Sequence, residues 1–110
     1  MKIEKFIENQ TLTLELIGKL DAVSSVELDN FLQKSLDQIK ILVFDLDKLD
    51  YIASAGLRIL LRYQKEISRR NGVMKIKNIK PEVREIFYIT GFEDFLNVVD
   101  NNVKRFSIEF

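Results

Sequence analysis

Residues 45–58 read Asp45-Leu46-Asp47-Lys48-Leu49-Asp50-Tyr51-Ile52-Ala53-Ser54-Ala55-Gly56-Leu57-Arg58. This stretch places a lone serine, Ser54, between an apolar strand-like run at residues 41–44 and an amphipathic run that begins at Leu57. A serine hydroxyl at such a junction can accept a hydrogen bond from the first free N–H groups of a helix, so we expect Ser54 to be an N-cap. The same helix terminus stabilises an anion, so it also suits a phosphoryl group.

The helix that follows Ser54 is amphipathic. It is expected to end near Asn71-Gly72, a pair that tolerates left-handed backbone. Its predicted inner stripe consists of Leu57, Leu60, Leu61, Gln64 and Ile67, and its predicted outer face carries Arg58, Arg62, Lys65, Glu66 and Arg69.

Upstream of this stretch, the first forty residues predict a β-hairpin followed by a helix. Alternating leucines at 12, 14 and 16 indicate a half-buried strand, and residues 3–7 are its predicted partner across a turn at Asn9-Gln10. The run Ser24-Ser25-Val26-Glu27 predicts a capping box, in which Glu27 reaches back to the cap backbone. The apolar residues expected on that helix are Leu28, Phe31, Leu32, Leu36 and Ile39.

Downstream, the pattern predicts a strand at residues 73–77 and a third helix that opens at Pro81 and ends at Gly91. Residues 98–99 are a candidate edge strand. The tail at residues 103–110 fits a helical face and strand alternation equally well.

These elements predict an α/β fold with one domain over residues 1–110. We expect a mixed, mostly parallel sheet of four to five strands, opened by the β-hairpin, with successive β-α units and helices mainly on one face. Functional residues of such sheets lie beyond the carboxyl ends of the parallel strands, which would bring residues 17–21 beside residues 47–56.

Composition narrows the possible functions. The chain has neither cysteine nor histidine, so the usual zinc and haem ligands, thiol nucleophiles and the commonest general base are missing. Seventeen basic residues balance 17 acidic ones, so no net charge favours nucleic acid. No apolar run approaches the roughly 20 residues that cross a bilayer. We therefore expect a cytoplasmic protein that has no cofactor, binds no metal or nucleic acid and does not insert into a membrane.

Two motifs carry a resemblance to a known family. The first is Gly18-Lys19-Leu20-Asp21, and the second sets Ser54 nine residues after Asp45 and two residues before Gly56. With Thr90-Gly91-Phe92 near the end of the third helix, they make the chain resemble STAS domains, specifically the small stand-alone bacterial anti-sigma factor antagonists.

The resemblance implies a phosphorylation-controlled partner switch without catalytic activity of its own. In such proteins the serine that matches Ser54 is phosphorylated by an anti-sigma factor that is a serine kinase, and a serine phosphatase restores it. The unphosphorylated form binds the anti-sigma factor and frees the sigma factor. Many members carry an acidic residue or serine where this chain has Ala53, and often serine where it has Ala55, so Ser54 is the only hydroxyl between Tyr51 and Gly56.

The predicted phosphorylation site is Ser54, and the predicted partner-binding residues are Asp21, Ser24, Tyr51, Ala53, Ala55, Gly56, Arg58 and Arg62. Asp21 is either a helix-start carboxylate or a neighbour that repels a phosphate on Ser54. Gly56 relieves crowding at a tight turn and lets a partner approach. Arg58 and Arg62 are either a solvated helix face or a rim that meets partner carboxylates.

A calcium site and a hydrolase fit the sequence less well, and one alternative stays open. The acidic residues at 45, 47 and 50 lack the longer calcium-loop pattern with its closing glutamate, so we interpret them as a solvated turn. A serine hydrolase is disfavoured because Gly-x-Ser-x-Gly and histidine are both absent. The alternative that stays open is a non-phosphorylated STAS-type subunit of a membrane transport complex.

Overall fold

The computed structural model of the chain describes residues 1–99, so the ambiguous tail at 103–110 lies outside the described residues. The six strands are β1 (Lys2–Glu8), β2 (Thr11–Leu20), β3 (Ile41–Asp45), β4 (Leu49–Ile52), β5 (Val73–Lys77) and β6 (Val98–Val99). The helices are α1 (Ala22–Gln33), α2 (Ser54–Arg69), α3 (Pro81–Thr90) and a short 3₁₀ turn at Phe92–Phe95.

The strands form one mixed sheet in the order β1-β2-β3-β5-β6, with β4 paired to β2. Only the β1–β2 hairpin is antiparallel, and the remaining pairs are parallel. The predicted hairpin-opened, mostly parallel sheet is thereby confirmed, with six strands instead of four to five. The additional strand is β4, which the sequence pattern missed because two of its four residues, Asp50 and Tyr51, are exposed.

Strand β2 pairs with three other strands. Residues 11–17 pair with β1 on one side and residues 11–15 with β3 on the other, while residues 18–20 pair with β4. The pairing shifts register between Gly18 and Lys19, and Gly18 adopts a φ of 106°, which side chains rarely tolerate. Gly18 therefore lets one strand serve two sets of partners.

The core lies on one face of this sheet. Every second residue of β2, β3 and β5 is buried there: Leu12, Leu14, Leu16, Leu42, Phe44, Met74 and Ile76. The alternate residues Thr13 and Val43 are half-buried, and Lys75 is exposed. Because β3 alternates in burial, its continuous apolar run does not mark a strand buried on both faces.

Helix α1 begins three residues earlier than the predicted capping box. Asp21 is the N-cap: its carboxylate accepts from the Ser24 backbone N–H at 3.0 Å, and the Asp21 N–H donates to the Ser24 hydroxyl at 2.8 Å. The predicted role of Glu27 is wrong, because the box is formed by Asp21 and Ser24. The helix ends at Gln33, and Leu36 and Ile39 are buried in the turns that follow it.

Helix α2 begins one residue earlier than predicted. Ala53 occupies the N-cap position and provides no side-chain cap, while Ser54 is the first helical residue. The prediction that Ser54 caps the helix is therefore wrong. The first hydrogen bonds of the helix run to the Ala53 carbonyl, which accepts from the N–H groups of Gly56 at 2.9 Å and Leu57 at 3.1 Å.

Gly56 sets how closely α2 approaches the sheet. A Cβ built on Gly56 would lie 2.7 Å from Leu20 Cγ, 2.9 Å from Leu20 Cδ2 and 3.0 Å from Ile52 Cγ1. Both neighbours are almost completely buried, so they have little space to move. The predicted relief of crowding at Gly56 is confirmed.

Replacing Gly56 with valine should destabilise the protein by roughly 1–3 kcal/mol, because the added carbons overpack the contact with Leu20 and Ile52. Urea unfolding followed by circular dichroism would measure the change. The matched control is Ser54→Ala, an exposed position in the same helical turn with no cap bond to lose, which should stay within about 0.5 kcal/mol of wild type. Equal stability of Gly56→Val and wild type would contradict this packing argument.

The Asp21 cap should make stability depend on pH in the acid range. The backbone N–H and then the hydroxyl of Ser24 lower the pKa of the Asp21 carboxyl. Its contribution is therefore complete above the unfolded pKa of about 3.9 and is lost as the pH falls through the lower folded value. Asp21→Asn keeps a capping oxygen but does not titrate. The unfolding free energy of wild type minus that of Asp21→Asn should therefore be largest near neutral pH and should decrease as the pH falls. A difference in unfolding free energy between wild type and Asp21→Asn that stays constant from pH 7 to pH 2.5 would contradict this.

Candidate functional site

The candidate site lies where β2, β4 and α2 meet at the carboxyl edge of the sheet. The Ala53 N–H donates to the Leu20 carbonyl at 2.9 Å, and the Gly18 N–H donates to the Lys48 carbonyl at 3.0 Å. These bonds place the end of β2 beside the start of α2, so the expected juxtaposition of residues 17–21 with residues 47–56 is confirmed.

Ser54 is exposed at this edge, and its hydroxyl makes no hydrogen bond within residues 1–99. The first backbone bonds of α2 begin at Gly56, which leaves the N–H groups of Ser54 and Ala55 directed out of the helix end. A group added to the Ser54 oxygen would stand near these donors and near the positive end of the helix dipole. The site can therefore accept an anion without rearrangement of the backbone.

The surface around Ser54 is formed by small residues. Ala53 and Ala55 are half-buried, and Tyr51 on β4 is 44% exposed. Gly56 is buried, so a partner would reach Ser54 and Ala55 before it reached Gly56. Ala53, Ser54 and Ala55 carry no charge of their own.

Asp21 is a predicted site residue that is ionised and lies at the end of β2. It directly follows Leu20, whose carbonyl binds Ala53, and its hydrogen bonds hold its carboxyl pKa below the ordinary value. Asp21 is thus charged at neutral pH, and its capping role is established by the geometry. Repulsion of a phosphate on Ser54 stays a prediction.

Ser24 has a structural role. It is only 5% exposed, and its hydroxyl lies 2.9 Å from the Lys19 carbonyl and 3.0 Å from the Asp21 carboxylate while it accepts the Asp21 N–H. Contact of Ser24 with a partner stays a prediction, and its burial leaves little of the side chain available for it. Its hydroxyl holds the β2–α1 turn.

The two predicted arginines of α2 differ in their surroundings. Arg58 is exposed and forms no ion pair within the described residues. Arg62 pairs with Asp29 of α1 at 2.8 Å, and the Tyr63 hydroxyl donates to the same carboxylate at 2.5 Å. Arg62 is therefore partly engaged within the chain, and Arg58 is the freer of the two.

The contact of Asp29 with Tyr63 and Arg62 was not predicted, because nothing in the sequence pairs residues more than thirty positions apart. The Tyr63 hydrogen bond is the main cause that lowers the pKa of the Asp29 carboxyl, while burial is the main cause that raises the pKa of Tyr63. The arrangement joins α1 to α2 beside a hollow of about 260 Å³.

The acidic turn after β3 is engaged in local contacts. Asp45 accepts from the Asp47 N–H at 3.1 Å and from the Asn78 side-chain amide at 3.2 Å, and Asp50 pairs with Lys80 at 2.5 Å. Residues 1–99 contain no group of three acidic side chains positioned to hold a metal ion. Among the same residues, no helix is long and apolar enough to cross a membrane.

Comparison with known proteins agrees with this architecture. The family model described as the STAS domain matches residues 2–105. A protein of Bordetella bronchiseptica named as an anti-sigma factor antagonist, BtrV, is 34% identical over 87 residues, which cover 78% of this chain and 75% of BtrV. The anti-sigma F factor antagonist of Paenibacillus polymyxa is 26% identical over 107 residues, which cover 94% of this chain and 90% of the relative.

Among solved structures, the unphosphorylated form of the anti-sigma factor antagonist SpoIIAA superposes with a TM-score of 0.74. The match covers 94% of this chain and 93% of SpoIIAA at 15% sequence identity, so it shows a shared fold. The hairpin-opened sheet, the helix that starts at Ser54 and the family match over nearly the whole chain lead to one assignment: the chain belongs to the STAS domain family.

Proposed function

We propose that this protein is an anti-sigma factor antagonist that works as a phosphorylation-controlled partner switch. The observation that carries the proposal is Ser54, whose exposed hydroxyl at the first turn of α2 has no hydrogen bond among the described residues. Its partners would be an anti-sigma factor with serine kinase activity, which binds the unmodified form, and a serine phosphatase that restores it. The names of the Bordetella and Paenibacillus relatives support the antagonist role.

Recognition of the unmodified form depends on the small residues around Ser54. Ala53 and Ala55 present only methyl groups, so a protein surface can pack against them without burying an unpaired charge. Tyr51, which is 44% exposed, adds an aromatic side chain at the edge of this patch. The patch therefore favours a close-packed protein contact.

Phosphorylation would change this contact through charge. A phosphoryl group on Ser54 adds roughly −1.5 to −2 charges at neutral pH, at the centre of a patch that was neutral. Burying an unpaired charge of this kind costs several kcal/mol, and about 1.4 kcal/mol is already a tenfold loss of affinity. A hundredfold or larger loss is therefore expected, to which the nearby Asp21 carboxylate adds repulsion.

The fold supports a switch without a large conformational change. The start of α2 is held by the Leu20–Ala53 backbone bond and by the close contact of Gly56 with Leu20. Neither contact involves the Ser54 side chain, so modification of Ser54 leaves both in place.

The alternative function is a constitutive STAS-type subunit of a transport complex. It would use the same fold but would not need a free hydroxyl at residue 54. Affinity purification of the unmodified protein from its own cells separates the two, since recovery of a permease and an ATPase instead of a kinase-like anti-sigma factor would favour the alternative.

Incubation with the cognate kinase and ATP should add one phosphate, and that phosphate should be on Ser54. Ser54 combines an exposed hydroxyl with a helix N-terminus, whereas Ser24 and Ser25 are buried. Intact-mass and fragment mass spectrometry would locate the phosphate. Ser54→Ala is the matched control and should stay unmodified while retaining partner binding. Phosphate found mainly on Ser24, Ser25 or Ser68 would contradict the proposal.

Ser54→Asp should bind the partner much more weakly than wild type. Aspartate supplies about half the charge of phosphoserine and is favourable in the first turn of a helix, so the fold should persist. Adding Asp21→Asn, which keeps a capping oxygen, should recover part of the loss if Asp21 repels the new charge. A double-mutant cycle by titration calorimetry measures this coupling directly. Zero coupling energy would remove Asp21 from the mechanism and leave desolvation as the explanation.

A further inference from the structure

The outer face of α2 carries a line of cations that begins one turn after Ser54 and continues to the end of the helix. The set consists of Arg58, Arg62, Lys65 and Arg69, with Leu61 among them, and we name these five residues the cationic strip. At about 100° per residue, Ser54 and the four cations fall within roughly 80° of one another, over a length of about 22 Å. The strip and Ser54 thus share one face of the helix.

The charges of the strip are only partly neutralised within the chain. Arg62 pairs with Asp29 and Arg69 pairs with Glu66, whereas Arg58 and Lys65 form no ion pair among the described residues. The spacings Arg58 to Arg62 and Lys65 to Arg69 are both four residues, at which like charges repel on a helix. These like-charged pairs therefore do not contribute to the stability of α2.

This concentration of positive charge is local. The whole chain carries 17 basic and 17 acidic residues, so its net charge is zero. Clustered cations on a helix also bind anionic bilayers and nucleic acids, but two of these four are already paired with carboxylates of the chain, which reduces the free charge. Four cations on one helix, two of them paired, instead match a short acidic segment.

The strip also has one apolar residue at its edge. Leu61 is half-buried and lies, along the helix axis, between Arg58 and Lys65, and the strip lines, together with Glu66, a shallow hollow of about 430 Å³. A segment with one apolar side chain between carboxylates would place the apolar group on Leu61 and the carboxylates near Arg58 and Lys65. Acidic residues at a spacing of three or four give this arrangement on a helix.

We propose that the cationic strip is the docking surface for an acidic amphipathic helix of the protein that recognises Ser54. The inference rests on the proposed function, because the strip continues along α2 from the surface that such a partner would contact. Its charges act mainly on the rate of association and on the dependence of binding on salt.

The test uses two synthetic helical peptides of 16 residues, one with glutamates at a spacing of four around a central leucine and one with glutamines in their place. Each is titrated into ¹⁵N-labelled protein while the amide resonances are followed by NMR. The glutamate peptide should shift the amides of residues 58–69, and its affinity should fall severalfold between 50 and 300 mM salt. The glutamine peptide should cause no comparable shifts. Equal shifts with both peptides, or shifts elsewhere only, would overturn the proposal.

Matched variants separate the strip from net charge. Arg58→Gln with Lys65→Gln should weaken binding of the glutamate peptide about fivefold or more, while Lys40→Gln with Lys75→Gln, which removes two exposed cations elsewhere, should leave it unchanged. Thermal unfolding of both pairs checks that each is folded. Equal losses in the two pairs would show a net-charge effect and overturn the proposal. So would a preference for phosphatidylglycerol vesicles or duplex DNA over the glutamate peptide.

The proposed function and this inference fail in different ways. If the cognate kinase phosphorylates wild type and the Arg58→Gln, Lys65→Gln variant at the same rate and with the same salt dependence, the docking strip is refuted while the switch stands. If the kinase does not phosphorylate Ser54 in any variant, the switch is refuted. Peptide binding then still tests, independently, whether the cationic strip binds an acidic helix.

Discussion

One junction determines the geometry of this protein: the end of β2 supports the start of α2. The Leu20 carbonyl accepts the Ala53 N–H, and the Leu20 side chain packs where a Cβ at residue 56 would otherwise stand. Strand β4 reaches this place because residues 18–20 of β2 pair with it, with a register shift between Gly18 and Lys19. Without these contacts α2 would not begin at the edge of the sheet, and Ser54 would have no fixed position.

The same few residues carry both structure and charge. Asp21 follows Leu20 directly and caps α1, so a carboxylate that the fold requires is also the ionised group placed near the start of α2. Its hydrogen bonds to Ser24 keep it ionised at neutral pH. Most substitutions at Asp21 therefore remove both the cap of α1 and a negative charge. Asn at this position keeps the cap, so it separates the effect of the charge from the effect of the cap.

Much of this organisation could be predicted from the sequence, and the failures have physical reasons. Alternation in β2 and the amphipathic pattern of α2 are strong local signals, so the hairpin, the sheet type and the main helices were correct. The caps were wrong by one to three residues, because Asp21, Ser24 and Ser54 are all acceptable capping residues and only the tertiary contacts select among them. Strand β4 was missed because two of its four residues, Asp50 and Tyr51, are exposed, so it has no apolar run or alternation to mark it. The pairing of Arg62 with Asp29 depends on how α1 packs on α2, which no local pattern encodes.

The rigid start of α2 has a consequence for how long a signal lasts. Because the contacts of Leu20, Ala53 and Gly56 do not involve the side chain of residue 54, we expect the two states of the proposed switch to share one backbone. The information then resides in a covalent bond and not in a slowly relaxing conformation. Such a module responds as fast as its modifying enzymes act and has no hysteresis. Its memory is the chemical lifetime of a phosphoserine ester, which only a phosphatase shortens.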